Sequence, residues 1–462
     1  MLESKTAHRL QRLNDHPPRP GRYVLYWMQQ SQREHFNHAL EYAAARANIL
    51  DLPLLVAFGL TGGFPDANLR HYHFMLEGLV ETSRALAKRQ IQFVLQLGDP
   101  ADVALRLGRE AALIVCDRGY LRVQKGWRRA VAEEALCPVV QVESDVIVPV
   151  EAASDKREYG ARTIRPKLLR MREEFLVPLG RTRIRRSSLR LRVEQVDPGR
   201  IDALCRRLKL DSSVKPVTHL YRGGTSVARR RFTRFLAKHF TDYMEHRNQP
   251  QTNDVSHMSK YLHFGQISPV WLALEVQKQK KASRTNVYTF MDELLVRREL
   301  AINWVEFTEN YDAYESLPAW ARTTLDQHRR DQRPHLYSQE QLEAARTHDP
   351  YWNAAMREMR ETGYMHNYMR MYWGKKILEW SASPELAFRT ALALNNKYFL
   401  DGRDPNGFAN VAWVFGQHDR PWPERAIFGK VRYMNAAGLE RKCDIRGYVA
   451  KVDRLIESTA TR

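Results

Sequence analysis

Two tryptophans, Trp373 and Trp380, stand seven residues apart in the run MHNYMRMYWGKKILEW (365–380), with Arg370 one turn before the first. Seven residues make two helical turns, which puts both rings on one face. An indole needs a shaped site and a partner for its N–H, and it is among the few side chains that can give up a single electron. Such a stripe either packs a core or relays electrons, and the segment alone leaves both open. Three further clusters share that choice. In SHMSKYLHFGQIS (256–268) hydroxyls meet a helix start, as a cap or as an anion site. In FMDELLVRRELAINW (290–304) Glu299 follows an Arg pair, as a surface carboxylate or as one turned into a pocket. LNNKYFLDGRDPNGFANVAW (394–413) gathers Asn395, Asp401, Arg403, Asp404 and Asn406 among Gly and Pro, as a polar turn or a cofactor-gripping loop. THDPYWN (347–353) adds Trp352.

These clusters need a scaffold. Short apolar runs at 23–27, 52–58, 91–97, 113–116 and 139–142 alternate with helical spacing at 35–45 and 71–88. That alternation predicts a doubly wound, parallel, Rossmann-like α/β domain over residues 1–180. No GxGxxG follows the first run, so the dinucleotide fingerprint is missing. RTRIRRSSLRLR opens a basic linker, 181–222. From 223 to 462 helical patterns follow one another, and eight of the ten tryptophans fall between Trp271 and Trp422. An all-α domain that houses something flat or aromatic is expected there.

Composition narrows the partners. With 73 Lys and Arg against 53 Asp and Glu, the net charge of +20 favours a polyanion, DNA or RNA. No apolar run is long enough for a membrane helix, and the amino terminus lacks the apolar core of a secretory signal. A cytoplasmic, monomeric protein is expected. Cys116, Cys137, Cys205 and Cys443 are scattered without metal-ligand spacing, so neither disulfides nor a metal site is indicated.

Long runs carry a resemblance: YWMQQSQR (26–33), SDKREYGARTIRPK (154–167), GGTS (223–226), YLHFGQIS, DELLVRREL, THDPYWN, MRMYWGKKILEW, LDGRDPNG and FGKVRYMN (428–435). They span nearly the whole chain, and on them it resembles the photolyase and cryptochrome superfamily, most closely the class II cyclobutane pyrimidine dimer photolyases. The resemblance implies an antenna-type α/β domain, an all-α FAD-binding domain, and light-driven repair of UV-damaged double-stranded DNA. Excited reduced FAD would pass an electron to a flipped-out dimer. It implies that Tyr243, Val255, Ser256, Met258, Ser259, Arg370, Asp401, Gly402 and Arg403 hold FAD, with Asn395 facing its N5. Glu299, Met371 and Trp413 would receive the dimer, and Arg420, Trp422 and Arg432 would enter the DNA. Trp373, Trp352 and Trp380, in that order from the flavin, would be the relay that photoreduces it. A second antenna chromophore, of deazaflavin or folate type, has no short signature to read. A cryptochrome-like photoreceptor and a non-catalytic DNA-binding protein are the alternatives. Four departures from the class II pattern stand near the expected site: Lys260 for proline, Asn367 for glycine, Asn303-Trp304-Val305, and a loop one residue short between Trp413 and His418.

Overall fold

The structure is a computed structural model that describes residues 7–460. Strands β1 (Leu10–Arg12), β2 (Tyr23–Trp27), β3 (Leu54–Leu60), β4 (Gln92–Leu97), β5 (Ala111–Asp117) and β6 (Val139–Val142) form one sheet in the order β1-β6-β5-β2-β3-β4. All pairs are parallel except β1 with β6. Strands β2, β3 and β5 are buried throughout, which explains their unbroken apolar runs. Their side chains alternate: Val24, Tyr26, Val56 and Val115 enter one core, while Leu25, Trp27, Leu55 and Ile114 enter the other. The antiparallel edge strand β1, LQR, is too short and polar to announce itself in the sequence.

The basic 181–222 segment is laid down rather than slack. Arg181 pairs with Glu34 at 2.6 Å, the Val196 amide donates to Leu95 O at 2.8 Å, and Leu204 and Cys205 are buried in the sheet core. Beyond it the chain is helical from Thr225–Lys238 to Ile445–Ala460, and no strand follows Val142 among the described residues. An α/β part followed by a helical part is the fold class expected.

The two parts share buried contacts. Arg33 pairs with Asp145 at 2.6 Å and donates to Gly265 O at 2.8 Å, with its side chain fully buried. The helical half is thereby tied to the carboxyl ends of β2 and β6, where an open parallel sheet places its crevice.

Candidate active site

One cavity lies wholly in the helical half. Its floor is the segment before the short helix Ser259–His263, with Tyr243, Val255, Ser256, Met258 and Ser259 on the wall. His257, in the left-handed region at φ 56°, turns the chain there. Hydroxyls and free amides at such a start suit phosphate oxygens. The opposite wall comes from Asn367–Trp380 and from Pro405–Val414, whose N-cap is Asp404. Arg370 Nη2 donates to both Asp401 oxygens at 3.0 Å, and its guanidinium lies 3.9 Å above the Phe399 ring. Burial pushes the Asp401 carboxyl up, but Arg370, with Ser259, holds it below its usual value. Asp404, also on the wall, lacks such a cation at bonding distance, and burial lifts its carboxyl to about 7 despite the 2.6 Å bond from the Gly407 amide. Gly407 lines this cavity, and a Cβ on it would sit tightly, 3.3 Å from Asn395 Nδ2 behind it. This donor set fits a flat, phosphate-bearing group.

A second cavity opens beside the first. Arg247, Glu293, Arg298, Asn367, Asn406 and Asn410 line both. Met371, Trp413, His418, Met434 and Arg432 are among the others that line the second one, and Arg297 stacks 5.5 Å over the Trp413 ring. Near its rim Trp422 is held between Arg420 at 5.5 Å and Arg432 at 5.2 Å, and its indole N–H donates to Asp419 at 3.3 Å. An apolar floor ringed by cations and amides can seat planar, uncharged rings beneath a phosphate backbone.

Several expected residues lie elsewhere. Glu299 lines neither cavity: it is 2% exposed, and its oxygens accept the amides of Ile147 at 2.5 Å and Val148 at 3.3 Å. It fastens the helix to the loop after β6, and burial lifts its carboxyl to about 8. The carboxylate shared by both cavities is Glu293, which accepts from Arg247 Nη2 at 2.6 Å. The reason is local geometry. Residues Asp292–Arg297 form a π-helical turn, so an α-helical wheel drawn through 290–304 loses phase between Glu293 and Glu299. Asn395 stands behind Gly407, donating to Asn396 Oδ1 at 3.0 Å. Gly402 packs on Asn395 and Asn396, where a Cβ would meet Asn395 O at 2.7 Å, and it lines neither cavity. Arg403, at φ 60°, turns away toward His263 and a cleft against the sheet domain.

The departures divide as well. Asn367 lines both cavities. Lys260 is buried behind the first, with Nζ 4.0 Å over the Tyr221 ring and donating to His257 O at 3.3 Å. Burial lowers its ammonium to about 7. Asn303 takes part in neither cavity but bridges to 156–158, accepting from the Glu158 amide at 2.8 Å. The shortened loop turns at Gly416, φ 108°, against Trp320 and Ala321.

The three tryptophans are brought together across two helices. Asp349 caps Pro350–Thr362, accepting from the Tyr351 and Trp352 amides, and so sets the Trp352 ring. Trp352 Nε1 donates to Trp373 O at 2.9 Å, and its ring meets Trp380 edge-on at 5.6 Å. Phe399 lies between the Arg370 guanidinium and the Trp373 ring, 6.4 Å from the latter. All three indoles are at most 3% exposed. A third hollow, with no signature in the sequence, lies between Phe58–Thr61 of β3 and its loop, His71, Tyr72, Trp127 and Phe264.

Among the described residues there is no cluster of His, Cys, Asp or Glu fit for a metal, and no helix long and apolar enough to cross a membrane. Comparison with known proteins gives one family and several relatives. Residues 24–208 match the family model described as DNA photolyase. The chain is 49% identical over 453 residues to a deoxyribodipyrimidine photo-lyase of Methanothermobacter thermautotrophicus, covering 98% of this chain and 99% of that one. In fold it is similar to a class III photolyase from Agrobacterium tumefaciens, with a TM-score of 0.73 at 18% identity over 94% of this chain and 87% of that one. It is also similar to an archaeal photolyase from Sulfolobus tokodaii described with two FAD molecules, with a TM-score of 0.70 at 16% identity over 93% and 89%.

Proposed function

The chain belongs to the DNA photolyase family, as an enzyme of the photo-lyase type, and from that premise we propose that it repairs cyclobutane pyrimidine dimers in UV-damaged DNA as a class II enzyme. The observation that carries this reading is the confluence of the two cavities at Glu293, Arg247, Arg298, Asn367, Asn406 and Asn410. A group held in the first and whatever enters the second would therefore touch the same side chains.

The first cavity is the place for FAD. Ser256, Ser259 and the amides of the helix start take its diphosphate, Tyr243, Val255 and Met258 line its path, and Arg370 with Asp401 faces its ring system. Asn395 and Gly402 support that wall from behind. When bound in its reduced form and excited by blue light, FAD supplies the electron that opens the cyclobutane ring and takes it back. The chain contributes geometry and charge. Arg370 offers a cation whose desolvation Asp401 offsets. Glu293, steered by Arg247, hydrogen-bonds the polar edge of the dimer where charge builds up. Met371 and Trp413 replace the stacking and exclude water. Arg420, Trp422 and Arg432 fill the gap left in the duplex, offsetting an extrusion cost of about a few kcal/mol. Trp380, Trp352 and Trp373 pass electrons inward to keep the cofactor reduced. A second chromophore, of deazaflavin or folate type, has a place in the cleft of Phe58, Tyr72, Trp127 and Phe264, where Arg403 and His71 supply polar contacts.

The test is to illuminate the reduced, FAD-loaded protein with an oligonucleotide containing one thymine dimer and follow the return of thymine absorbance. Recovery that needs light supports the reading. No recovery refutes it, and recovery only with a (6-4) photoproduct refutes the substrate.

A further inference from the structure

The aromatic path does not stop at Trp380. Segment 335–348 folds over the end of Asn367–Trp380, and the Tyr337 amide donates to Trp380 O at 3.1 Å. That bond fixes the phenol 5.5 Å from the indole, edge-on at 75°. The His348 ring stands 5.2 Å from the same indole. Tyr337 Oη lies 2.8 Å from His348 Nδ1, and the His348 amide donates to the same oxygen at 3.0 Å. With one lone pair so occupied, the phenol proton points at Nδ1 whenever His348 carries its own proton on Nε2. His335 covers the other face of His348, ring on ring at 3.8 Å. Tyr337 is half-buried, whereas both histidines are exposed and in contact with water.

From this geometry we infer that Tyr337 is the terminal electron donor of the tryptophan path and His348 the base that takes its proton. The inference rests on the relay reading above. The step balances without a further reagent: the Trp380 radical cation gains one electron from Tyr337, while the phenol O–H breaks and its proton forms a new N–H bond at His348 Nδ1. The products are a neutral indole, a neutral tyrosyl radical and an imidazolium, which returns its proton to water. Without the base the step would leave a phenol radical cation, a strong acid with its proton still attached. The surroundings favour a neutral imidazole as acceptor: partial burial and then His335 lower the His348 pKa, Lys376 acts the same way, and Asp349 and Glu379 oppose. Lys376 Nζ also sits 5.7 Å over the Trp380 ring, paired with Glu379 at 2.6 Å.

A merely structural Tyr337 would hold the loop and nothing more. Laser-flash absorption of the FAD-loaded, oxidised protein separates the two roles. In the unmodified protein the tryptophan radical signal should decay as a tyrosyl signal rises, with a solvent deuterium effect on that step. Tyr337→Phe keeps the ring and the backbone bond, and should remove the tyrosyl signal and lengthen the tryptophan radical's life by about tenfold or more. His348→Leu should leave the tyrosine in place yet slow the same step and abolish its deuterium effect. Unchanged radical decay in Tyr337→Phe overturns the inference and leaves the relay standing. Absence of any tryptophan radical in the unmodified protein overturns both.

Discussion

Glu293 and Glu299 lie six residues apart and do opposite work. Glu293 reaches both cavities and is held by Arg247, whereas Glu299 is spent on the amides of Ile147 and Val148. Their glutamine variants should therefore separate cleanly. Glu293→Gln should fold normally, keep FAD and lower repair yield several-fold, because an amide cannot hold Arg247 or answer the dimer edge as a carboxyl does. Glu299→Gln should leave repair yield intact and cost about 1–3 kcal/mol in urea unfolding, because its NH2 cannot accept one of the two amide protons. The reverse pattern would return the substrate role to Glu299. The distinction was not legible in the sequence, where DELLVRREL carries both carboxylates and the resemblance pointed to Glu299 alone. By contrast, helical spacing alone put Trp373 and Trp380 on one helix face, whereas the joining of Arg370 to Asp401 and of Trp352 to both tryptophans was expected only through the family resemblance, since those pairs lie on separate elements.

At the scale of elements, one histidine helps to tie down the turn that carries Trp422. His328 follows the helix Ala319–Gln327 and bonds Asp331 at 2.6 Å through Nδ1 and Glu424 at 2.9 Å through Nε2. Asp331 also accepts from the Ile427 amide at 2.7 Å, and the Trp422 amide donates to Lys430 O at 2.8 Å. The bonds from Glu424 and then Asp331 raise the His328 pKa above its usual value. A raised folded-state pKa means that the clamp is fully present below about 6.5, the unfolded value, and is lost as pH rises through the folded one. Amide hydrogen exchange at Phe428 and Gly429, corrected for its intrinsic pH dependence, should accelerate across that window. His328→Gln should make the corrected rate flat with pH; an unchanged pH profile in the variant would place the clamp elsewhere. The strands were legible from buried apolar runs, but this turn was not. Its bonds join residues about a hundred positions apart, and neither periodicity nor composition reports such pairings. The same holds for β1 and for the 181–222 segment, which look polar because they cover the sheet domain rather than form its core.

For the whole molecule, buried Arg33 joins the sheet to the helical half through its bond to Gly265 O, while its ion pair with Asp145 lies within the sheet part. Arg33→Met would strand Asp145 without its cation, at a cost of about 3–5 kcal/mol in the unfolding transition. Arg33→Met with Asp145→Leu should recover most of that; a double variant as unstable as the single would mean that the lost bonds to Gly265 O and Ser144 O, not the stranded charge, carry the cost. The net charge of +20 acts at longer range. Each phosphate neutralised on docking releases counterions, so the logarithm of the affinity should fall linearly with that of salt, with a slope of about −0.9 per contact. Lys442→Ala, which removes an exposed cation from the edge of the second cavity, should weaken binding to damaged and undamaged duplex alike and make the slope shallower by about 1. Selecting the lesion is a different step, because it moves uncharged bases onto Met371 and Trp413 and releases no counterions. The ratio of affinities for damaged and undamaged DNA should therefore stay constant across salt while both constants fall. Trp413→Ala should reduce that ratio and leave the slope alone. A ratio that collapsed with salt would place recognition in the cationic rim instead of the cavity floor.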